Sequence, residues 1–315
     1  MTTGKTAILF PGQGSQFVGM GREFAEADPE AMAIFDLADT VCGVGIKELC
    51  FNGPLEELTV AANLQPALTA VNLVCWQAVH KAGIRADFVA GHSLGEYAAL
   101  HAAGVLTLED TLRLVARRGR VMGQAGERNP GGMVAILGLG LTAVQEILAE
   151  VAAPEAISIG NYNSEQQLVL SGNTAALQKA TELAQARGAK AVALNVTVAN
   201  HSPLMASAVP EFEEAFAAVP LLAPTISLLF NVTARAERDP EAIRAIMARQ
   251  IVSMVRWQEI IATLLASEVR TFIEVGPKKV LTGLMKRMLP KGGGHRCLQI
   301  DTPAALAEGL AELGQ

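Results

Sequence analysis

The sequence feature that most restricts the fold is the pentapeptide Gly91-His92-Ser93-Leu94-Gly95. An apolar run, Phe88-Val89-Ala90, precedes it, and a helical pattern from Leu94 to Ala103 follows. A G-x-S-x-G motif in this setting is typical of a nucleophile elbow, a tight turn that lifts a serine hydroxyl above a sheet. The alternative is a plain strand-to-helix turn with a serine cap. The setting favours the elbow, with Ser93 as candidate nucleophile.

Strand and helix patterns alternate along most of the chain, which predicts a parallel sheet covered by helices. Residues 127–132 are polar and rich in glycine, and the segment after them changes pattern. Its order is strand, helix, strand, strand, helix, strand, the ferredoxin-like arrangement. We therefore predict an α/β fold in which residues 1–127 and 199–315 form a discontinuous large domain and residues 128–198 an inserted ferredoxin-like domain.

Composition limits the classes of partner. Half of the 315 residues are hydrophobic and the net charge is −6, with lysine and arginine scattered, so a nucleic acid is not expected as partner. No apolar run reaches the length of a membrane span, and a strand pattern from Ala7 leaves no room for a signal peptide. We expect a cytoplasmic protein. The four cysteines have no metal-like spacing, so we expect free thiols and no metal site.

A catalytic serine needs a base, and the chain contains five histidines. His92 is adjacent to the serine and cannot easily turn back onto it. His80 and His101 lie within helix patterns, and His295 lies in a glycine-rich turn. His201 follows the inserted domain, where a loop returns to the large domain, and it is the best candidate by elimination.

One arginine of the helix predicted from Thr107 onwards points in an unexpected direction. Three of its arginines share one face at helical spacing, and we expect them to be solvated: Arg113, Arg117 and Arg120. Arg118 instead emerges from the apolar stripe formed by Leu114, Val115, Val121 and Met122. A buried guanidinium needs a partner, because burial of a lone charge is costly. The residues leave two candidates open, a structural carboxylate of the protein and the carboxylate of a substrate.

Further motifs occur in one order along the chain. They are Phe10-Pro11-Gly12-Gln13-Gly14-Ser15-Gln16, Gln65-Pro66-Ala67, Gly91-His92-Ser93-Leu94-Gly95-Glu96-Tyr97, Arg118-Gly119, Gly132-Met133, Asn161-Tyr162-Asn163-Ser164, His201-Ser202-Pro203, Asn231-Val232, Gln250 and Glu274-Val275-Gly276-Pro277. With them the chain resembles the malonyl-CoA:acyl carrier protein transacylases, and more widely the acyltransferase domains of fatty acid and polyketide synthases. The resemblance runs from about residue 6 to about residue 290.

The resemblance implies an α/β-hydrolase-like large domain with a ferredoxin-like insertion. It implies malonyl transfer from malonyl-CoA to the phosphopantetheine thiol of acyl carrier protein, through a malonyl-serine intermediate and without a bound cofactor. Ser93 would be the nucleophile and His201 its base, oriented by the backbone carbonyl of Gln250. The backbone N–H groups of Gln13 and Leu94 would form the oxyanion hole.

For the acyl group, the resemblance implies that Arg118 grips the malonyl carboxylate. Four further residues are expected near the substrate: Met133, Asn161, Asn163 and Asn200. Asn200 borders the acyl pocket implied by the family and leaves room for malonyl or methylmalonyl groups. The acidic chain needs a basic patch to dock an acidic carrier protein, and the candidates are Lys278, Lys279, Lys286, Arg287 and Lys291.

Other functions stay open on the sequence. Within the family they are a trans-acting polyketide acyltransferase and the transacylase of a malonate-decarboxylating system. A thioesterase or other serine hydrolase would use the same elbow. A non-catalytic module that senses malonyl-CoA is disfavoured by the joint presence of Ser93, His201 and Arg118.

Overall fold

The computed structural model of the chain describes residues 4–196, 198–290 and 292–314. They form two sheets, one of five strands and one of four. The strands are β1 (Lys5–Phe10), β2 (Phe88–Gly91), β3 (Gly132–Leu137), β4 (Ile157–Ser164), β5 (Gln167–Gly172), β6 (Lys190–Ala193), β7 (Ser227–Leu229), β8 (Val269–Val275) and β9 (Arg296–Ile300).

Helices cover the sheets and connect their strands. They are α1 (Arg22–Ala27), α2 (Pro29–Cys42), α3 (Ile46–Asn52), α4 (Leu55–Leu58), α5 (Ala61–Lys81), α6 (Gly95–Ala102), α7 (Leu108–Arg128), α8 (Leu141–Val151), α9 (Thr174–Ala186), α10 (Val209–Ala217), α11 (Pro240–Ala248), α12 (Trp257–Ala266), α13 (Val280–Met288) and α14 (Pro303–Leu313). Short 3₁₀ turns occupy Pro203–Ala208 and Gln250–Val252. Among the described residues, no helix combines the length and the apolar character that a bilayer crossing requires.

The five-stranded sheet is parallel and has the order β7-β2-β1-β8-β9. The last four residues of its central strand β1 are buried, as expected for a parallel sheet with helices on both faces. The carboxyl ends of β1 and β2 lie side by side, with Phe10 paired to Gly91. The loop that contains Gln13 and the turn that contains Ser93 therefore leave the same edge of the sheet.

The four-stranded sheet is antiparallel and has the order β4-β5-β3-β6, with α8 and α9 packed together against it. This is the predicted ferredoxin-like arrangement, and with the parallel sheet it confirms the predicted fold class. All four strands fall between Gly132 and Ala193, while the two domain ranges themselves remain a prediction.

Two predicted element ends differ from the structure. The apolar pattern that begins at Thr107 predicts a helix as far as Met122, but the helix continues to Arg128 and so enters residues 127–132, the polar segment before the insertion. Its start is as predicted, since Thr107 accepts a hydrogen bond from the backbone N–H of Asp110 at 3.1 Å. For the last strand of the insertion the apolar pattern predicts residues 190–196, but the strand ends at Ala193, because the backbone then turns so that Val196 donates to the carbonyl of Leu194.

The small sheet is attached directly to the large domain. Strand β4 continues its backbone pairing across the domain junction: Tyr162 donates to the carbonyl of Val255, and Val255 donates to the carbonyl of Gly160, both at 2.8 Å. This pairing holds the small sheet near the carboxyl edge of the large sheet and creates the cleft in which the candidate site lies.

Candidate active site

Ser93 lies in the tight turn between β2 and α6 and has a positive φ of 51°. Left-handed backbone is unfavourable for a residue with a side chain, so this turn is strained. The flanking glycines are required by space. A Cβ atom on Gly91 would lie 2.0 Å from the carbonyl carbon of Gly95, and one on Gly95 would lie 2.1 Å from the carbonyl oxygen of Phe10. The local geometry is that of a nucleophile elbow.

His201 faces the serine hydroxyl, with 2.6 Å between its Nε2 and the Oγ of Ser93. Its Nδ1 lies 3.0 Å from two backbone carbonyl oxygens, those of Gln250 and Ser253. Two acceptors at Nδ1 require the proton there, so Nε2 carries the lone pair that accepts the serine proton. Burial, followed by the nearby Arg118 charge, lowers the pKa of His201 to about 3. The imidazole is therefore neutral at physiological pH.

The His201 loop is held from both domains. The backbone N–H of His201 donates to the carbonyl of Ile251 at 3.0 Å. From the small sheet, the hydroxyl of Ser171 donates to the carbonyl of Asn200 at 2.5 Å. His201 itself has a φ of 59°, so this loop is strained as well. The position of the candidate base thus depends on how the two domains meet.

The predicted oxyanion donors lie on the two adjacent loops. The N–H of Ser93 is already used, because it donates to the side-chain oxygen of Asn231 at 2.7 Å. The N–H of Leu94, at the start of α6, has no acceptor among the described residues, and neither has that of Gln13. The loop of Gln13 passes beside Leu94, since a Cβ atom on Gly12 would lie 3.6 Å from the backbone nitrogen of Leu94, and Asn72 donates to the carbonyl of Pro11 in this loop at 3.0 Å. The geometry is compatible with the predicted pair, whose role stays a prediction.

Arg118 reaches the site from α7 and is 2% exposed. Its Nη2 donates to the Oγ of Ser93 at 3.3 Å and to the side-chain oxygen of Gln250 at 3.0 Å, and its Nε donates to the same oxygen at 3.2 Å. Its Nη1 donates to the side-chain oxygen of Gln65 at 2.9 Å. Its hydrogen-bond partners among the described residues are thus neutral. The structural carboxylate partner that the sequence left open is not present among them.

Glu96 is a buried carboxyl group that the sequence interpretation passed over. Its Oε1 accepts from the backbone N–H of Asn231, and its Oε2 accepts from the side-chain nitrogen of Gln250, both at 2.6 Å. Burial raises the pKa of Glu96 to about 7, an effect that these two hydrogen bonds and Arg118 partly offset. Its position three residues after Ser93, on the first turn of α6, was the available signal.

Asn231 and the side chain of Gln250 were also missed as site residues. Besides holding the N–H of Ser93, Asn231 donates from its side chain to the carbonyl of Gly91 at 2.7 Å, so it clamps both sides of the elbow. Gln250 was predicted only for its backbone carbonyl, yet its side chain also donates to the carbonyl of Ser93 at 2.9 Å. Both residues lie more than a hundred positions from Ser93, which explains why no local pattern revealed them.

The four further predicted substrate residues lie in different places. Asn161 and Asn163 line a cavity of ≈ 470 Å³ together with Gln13 and His92, and Asn163 hydrogen-bonds His92 at 2.8 Å. Asn200 lines a second cavity of ≈ 550 Å³ that also contains Gln13 and Gln65. Met133 lines neither of these and borders a third cavity of ≈ 330 Å³. Only the first two cavities adjoin the serine loops.

Of the predicted docking residues, Arg287 lines the ≈ 470 Å³ cavity, and Lys279 precedes Val280 and Leu281, which line it too. Lys278, Lys279, Lys286 and Arg287 are exposed, and Lys291 lies outside the described residues. Arg287 lines the cavity and donates to the side-chain oxygen of Gln167 on the small sheet at 3.1 Å. Arg287 is thus the basic side chain of this set that faces the cleft, and the docking role of the set stays a prediction.

Comparison with known proteins agrees with this geometry. The family model described as acyl transferase domain matches residues 8–301. The chain is similar to the malonyl CoA-acyl carrier protein transacylase of Bacillus subtilis strain 168, at 40% identity over 286 residues that cover 90% of each chain.

Two solved structures are similar over nearly the whole chain. One is an acyl-carrier-protein-S-malonyltransferase from Bartonella henselae, with a TM-score of 0.92 and 38% identity, covering 99% of this chain and 100% of that one. The other is a malonyl-transacylase in complex with its type II polyketide synthase acyl-carrier protein, with a TM-score of 0.93 and 34% identity, covering 98% of this chain and 99% of that one.

Proposed function

The chain belongs to the acyl transferase domain family, and on that basis we propose that it transfers a malonyl group from malonyl-CoA to the phosphopantetheine thiol of acyl carrier protein. Similar proteins named for this activity and the solved complex with a carrier protein support the proposal. The reaction is of the ping-pong type, with a malonyl ester of Ser93 between its two halves.

In the first half-reaction, the Oγ of Ser93 attacks the thioester carbonyl carbon of malonyl-CoA. The serine proton moves to Nε2 of His201, which lies 2.6 Å from Oγ. The carbonyl oxygen becomes negatively charged and accepts hydrogen bonds from the free N–H groups of Gln13 and Leu94. The carbon–sulfur bond then breaks, and coenzyme A leaves with the proton from His201.

The second half-reaction repeats these steps with the carrier protein. His201 takes the proton of the phosphopantetheine thiol, and the sulfur attacks the carbonyl carbon of malonyl-Ser93. The ester bond breaks, and Ser93 regains its proton from His201. No bound cofactor is needed in this scheme, because the thiol arm belongs to the partner.

The observation that carries the malonyl assignment is the position of Arg118. A buried guanidinium 3.3 Å from the nucleophile, whose hydrogen-bond partners in the described part of the chain are neutral, is suited to the carboxylate of an acyl group on Ser93. An acetyl group would leave this cation without a carboxylate, so the site discriminates against it. The same arrangement argues against a general esterase.

The strictness for malonyl depends on the cavity beside Asn200. This cavity of ≈ 550 Å³ is lined by Gln65, which contacts Arg118, so it can receive a substituent on the central carbon of malonyl. A trans-acting polyketide acyltransferase that accepts methylmalonyl is therefore the second candidate. Rates of Ser93 acylation with malonyl-, methylmalonyl- and acetyl-CoA distinguish the two.

Carrier protein docks at the basic rim formed by Lys278, Lys279, Lys286 and Arg287. These side chains are exposed, and Arg287 lines the ≈ 470 Å³ cavity, which also contains His92 of the serine turn. We place the reaction in the cytoplasm, where the free thiols of Cys50 and Cys75 stay reduced.

The test is a two-step experiment with intact-protein mass spectrometry. Malonyl-CoA alone should convert the wild-type protein to a malonyl adduct on Ser93, and added holo acyl carrier protein should remove the adduct and become malonylated. Release of free malonate at the same rate without carrier protein would identify a hydrolase. Binding of malonyl-CoA without any adduct would identify a non-catalytic sensor.

A further inference from the structure

We infer that Glu96 is a positioning residue for substrate recognition: it fixes the side-chain amide of Gln250 so that the amide oxygen holds the Arg118 guanidinium beside Ser93. The inference rests on the proposed malonyl transfer, in which Arg118 binds the acyl carboxylate. It assigns to Glu96 a function in substrate choice, beyond support of the turn.

The carboxylate of Glu96 and the carbonyl of Ser93 together decide which way the Gln250 amide faces. An ionised carboxylate only accepts hydrogen bonds, so the Gln250 group 2.6 Å from its Oε2 must be the nitrogen. The same nitrogen donates to the carbonyl of Ser93 at 2.9 Å. A reversed amide would place oxygen against these two oxygens and nitrogen against a guanidinium, losing every contact.

The fixed amide in turn orients Arg118. The Gln250 oxygen accepts from both Nε and Nη2 of the guanidinium, at 3.2 and 3.0 Å, which occupies one edge of the planar group. Gln65 accepts from Nη1 at 2.9 Å. The remaining N–H of Nη1 and the Nη2 N–H that contacts Ser93 at 3.3 Å are then available to a carboxylate on the serine.

The negative charge of Glu96 therefore does not contact the Arg118 guanidinium, because the side-chain amide of Gln250 lies between them. A carboxylate in direct contact would occupy the donors that a malonyl group needs and would neutralise the cation. Glu96 supplies negative charge and leaves these donors of Arg118 available. Its burial disfavours the charged form and raises its pKa to about 7. A glutamine of the same shape would avoid this cost, but it has only one oxygen for two donors and so would lose the contact with either Asn231 or Gln250.

Glu96 also contacts the serine turn through the backbone N–H of Asn231. A defect in the turn would slow acylation by every substrate equally. A misplaced guanidinium would slow malonyl transfer selectively. The ratio of kcat/KM for malonyl-CoA to that for acetyl-CoA therefore separates the two roles.

The experiment compares E96Q with E274Q. Glu274 is a second buried carboxyl group, and it accepts hydrogen bonds from the backbone of Leu281 and Thr282 at the start of α13, so its role is structural. Ser93 acylation by malonyl-CoA and by acetyl-CoA is followed by mass spectrometry at pH 8. We expect E96Q to lower the ratio of kcat/KM for malonyl-CoA to that for acetyl-CoA by about tenfold to a hundredfold. This is the change that loss of one charge-assisted hydrogen bond to the acyl carboxylate would cause. E274Q should leave the ratio unchanged.

A double-mutant cycle and thermal melting complete the test. Q250L removes the amide directly, so E96Q/Q250L should lower the ratio no further than Q250L alone. E96Q should remain folded at the assay temperature in a thermal melt at pH 8, because removal of the buried charge offsets part of the cost of the lost hydrogen bond. An unchanged ratio, additive effects, or loss of folding in E96Q would each overturn the role of Glu96. Absence of a malonyl adduct in the wild type would instead overturn the proposed function.

Discussion

Arg118→Ala should convert a malonyl-selective site into one with little preference. In the structure the guanidinium is 2% exposed, and four of its five N–H groups have acceptors in Gln250, Gln65 and Ser93. A carboxylate on the acyl-serine would take the fifth N–H and displace the long contact with Ser93. The substitution removes both of these donors, while Ser93 and His201 remain.

The size of the effect follows from these two hydrogen bonds. A hydrogen bond to a charged group in a buried site contributes about 1.5–3 kcal/mol. Water that enters the space left by the side chain restores part of this hydrogen-bond energy. We therefore expect the transition state for acylation by malonyl-CoA to lose about 3–4 kcal/mol of stabilisation. This corresponds to a fall in kcat/KM of roughly a hundredfold to a thousandfold. The rate with acetyl-CoA should stay the same or rise, because Arg118 no longer depresses the basicity of His201.

The assay is quenched-flow acylation of Ser93 with each thioester, read by intact-protein mass spectrometry. Arg117→Ala is the matched control, since Arg117 is adjacent on α7 but forms a surface ion pair with Glu211 at 2.9 Å. It should leave both rates within about twofold. Thermal melting checks that each variant is folded.

Two results would refute this reasoning. A malonyl-to-acetyl ratio that changes less than tenfold in Arg118→Ala would mean that the guanidinium does not bind the acyl carboxylate. An equal fall for both thioesters would mean that Arg118 supports the structure of the site and has no part in selectivity.

Three further predictions concern the nucleophile, the base and the carrier protein. Ser93→Ala should abolish the malonyl adduct, and an adduct in that variant by mass spectrometry would exclude Ser93 as nucleophile. The pKa of about 3 keeps His201 neutral, so the rate of Ser93 acetylation should not fall between pH 8 and pH 5. A rate that falls near pH 6.5, the ordinary pKa of histidine, would contradict this. Charge reversal at Lys286 and Arg287 should raise the KM for acyl carrier protein but not for malonyl-CoA. The control is Lys5→Glu at the opposite end of β1, and equal effects on both KM values would argue against docking at this rim.

Local pattern was enough to predict the strand, turn and helix around Ser93, because the glycine spacing and the flanking apolar runs act within a few residues. The order of strands and helices likewise predicted the ferredoxin-like insertion. The apolar neighbours of Arg118 indicated its inward direction, since helix periodicity determines which face a residue occupies. These features belong to single elements, and the amino-acid sequence determined them by itself.

Only the tertiary structure decided which groups meet at the serine. His201 comes from a loop held by both domains, and Arg118 contacts Gln250 across 132 positions of the chain. The sequence left its partner open between a protein carboxylate and a substrate, and the fold provides neutral amides, with Glu96 one amide away. Hydrogen bonds of this kind depend on how helices and loops from distant segments are packed at the sheet edge, and no local pattern encodes that packing.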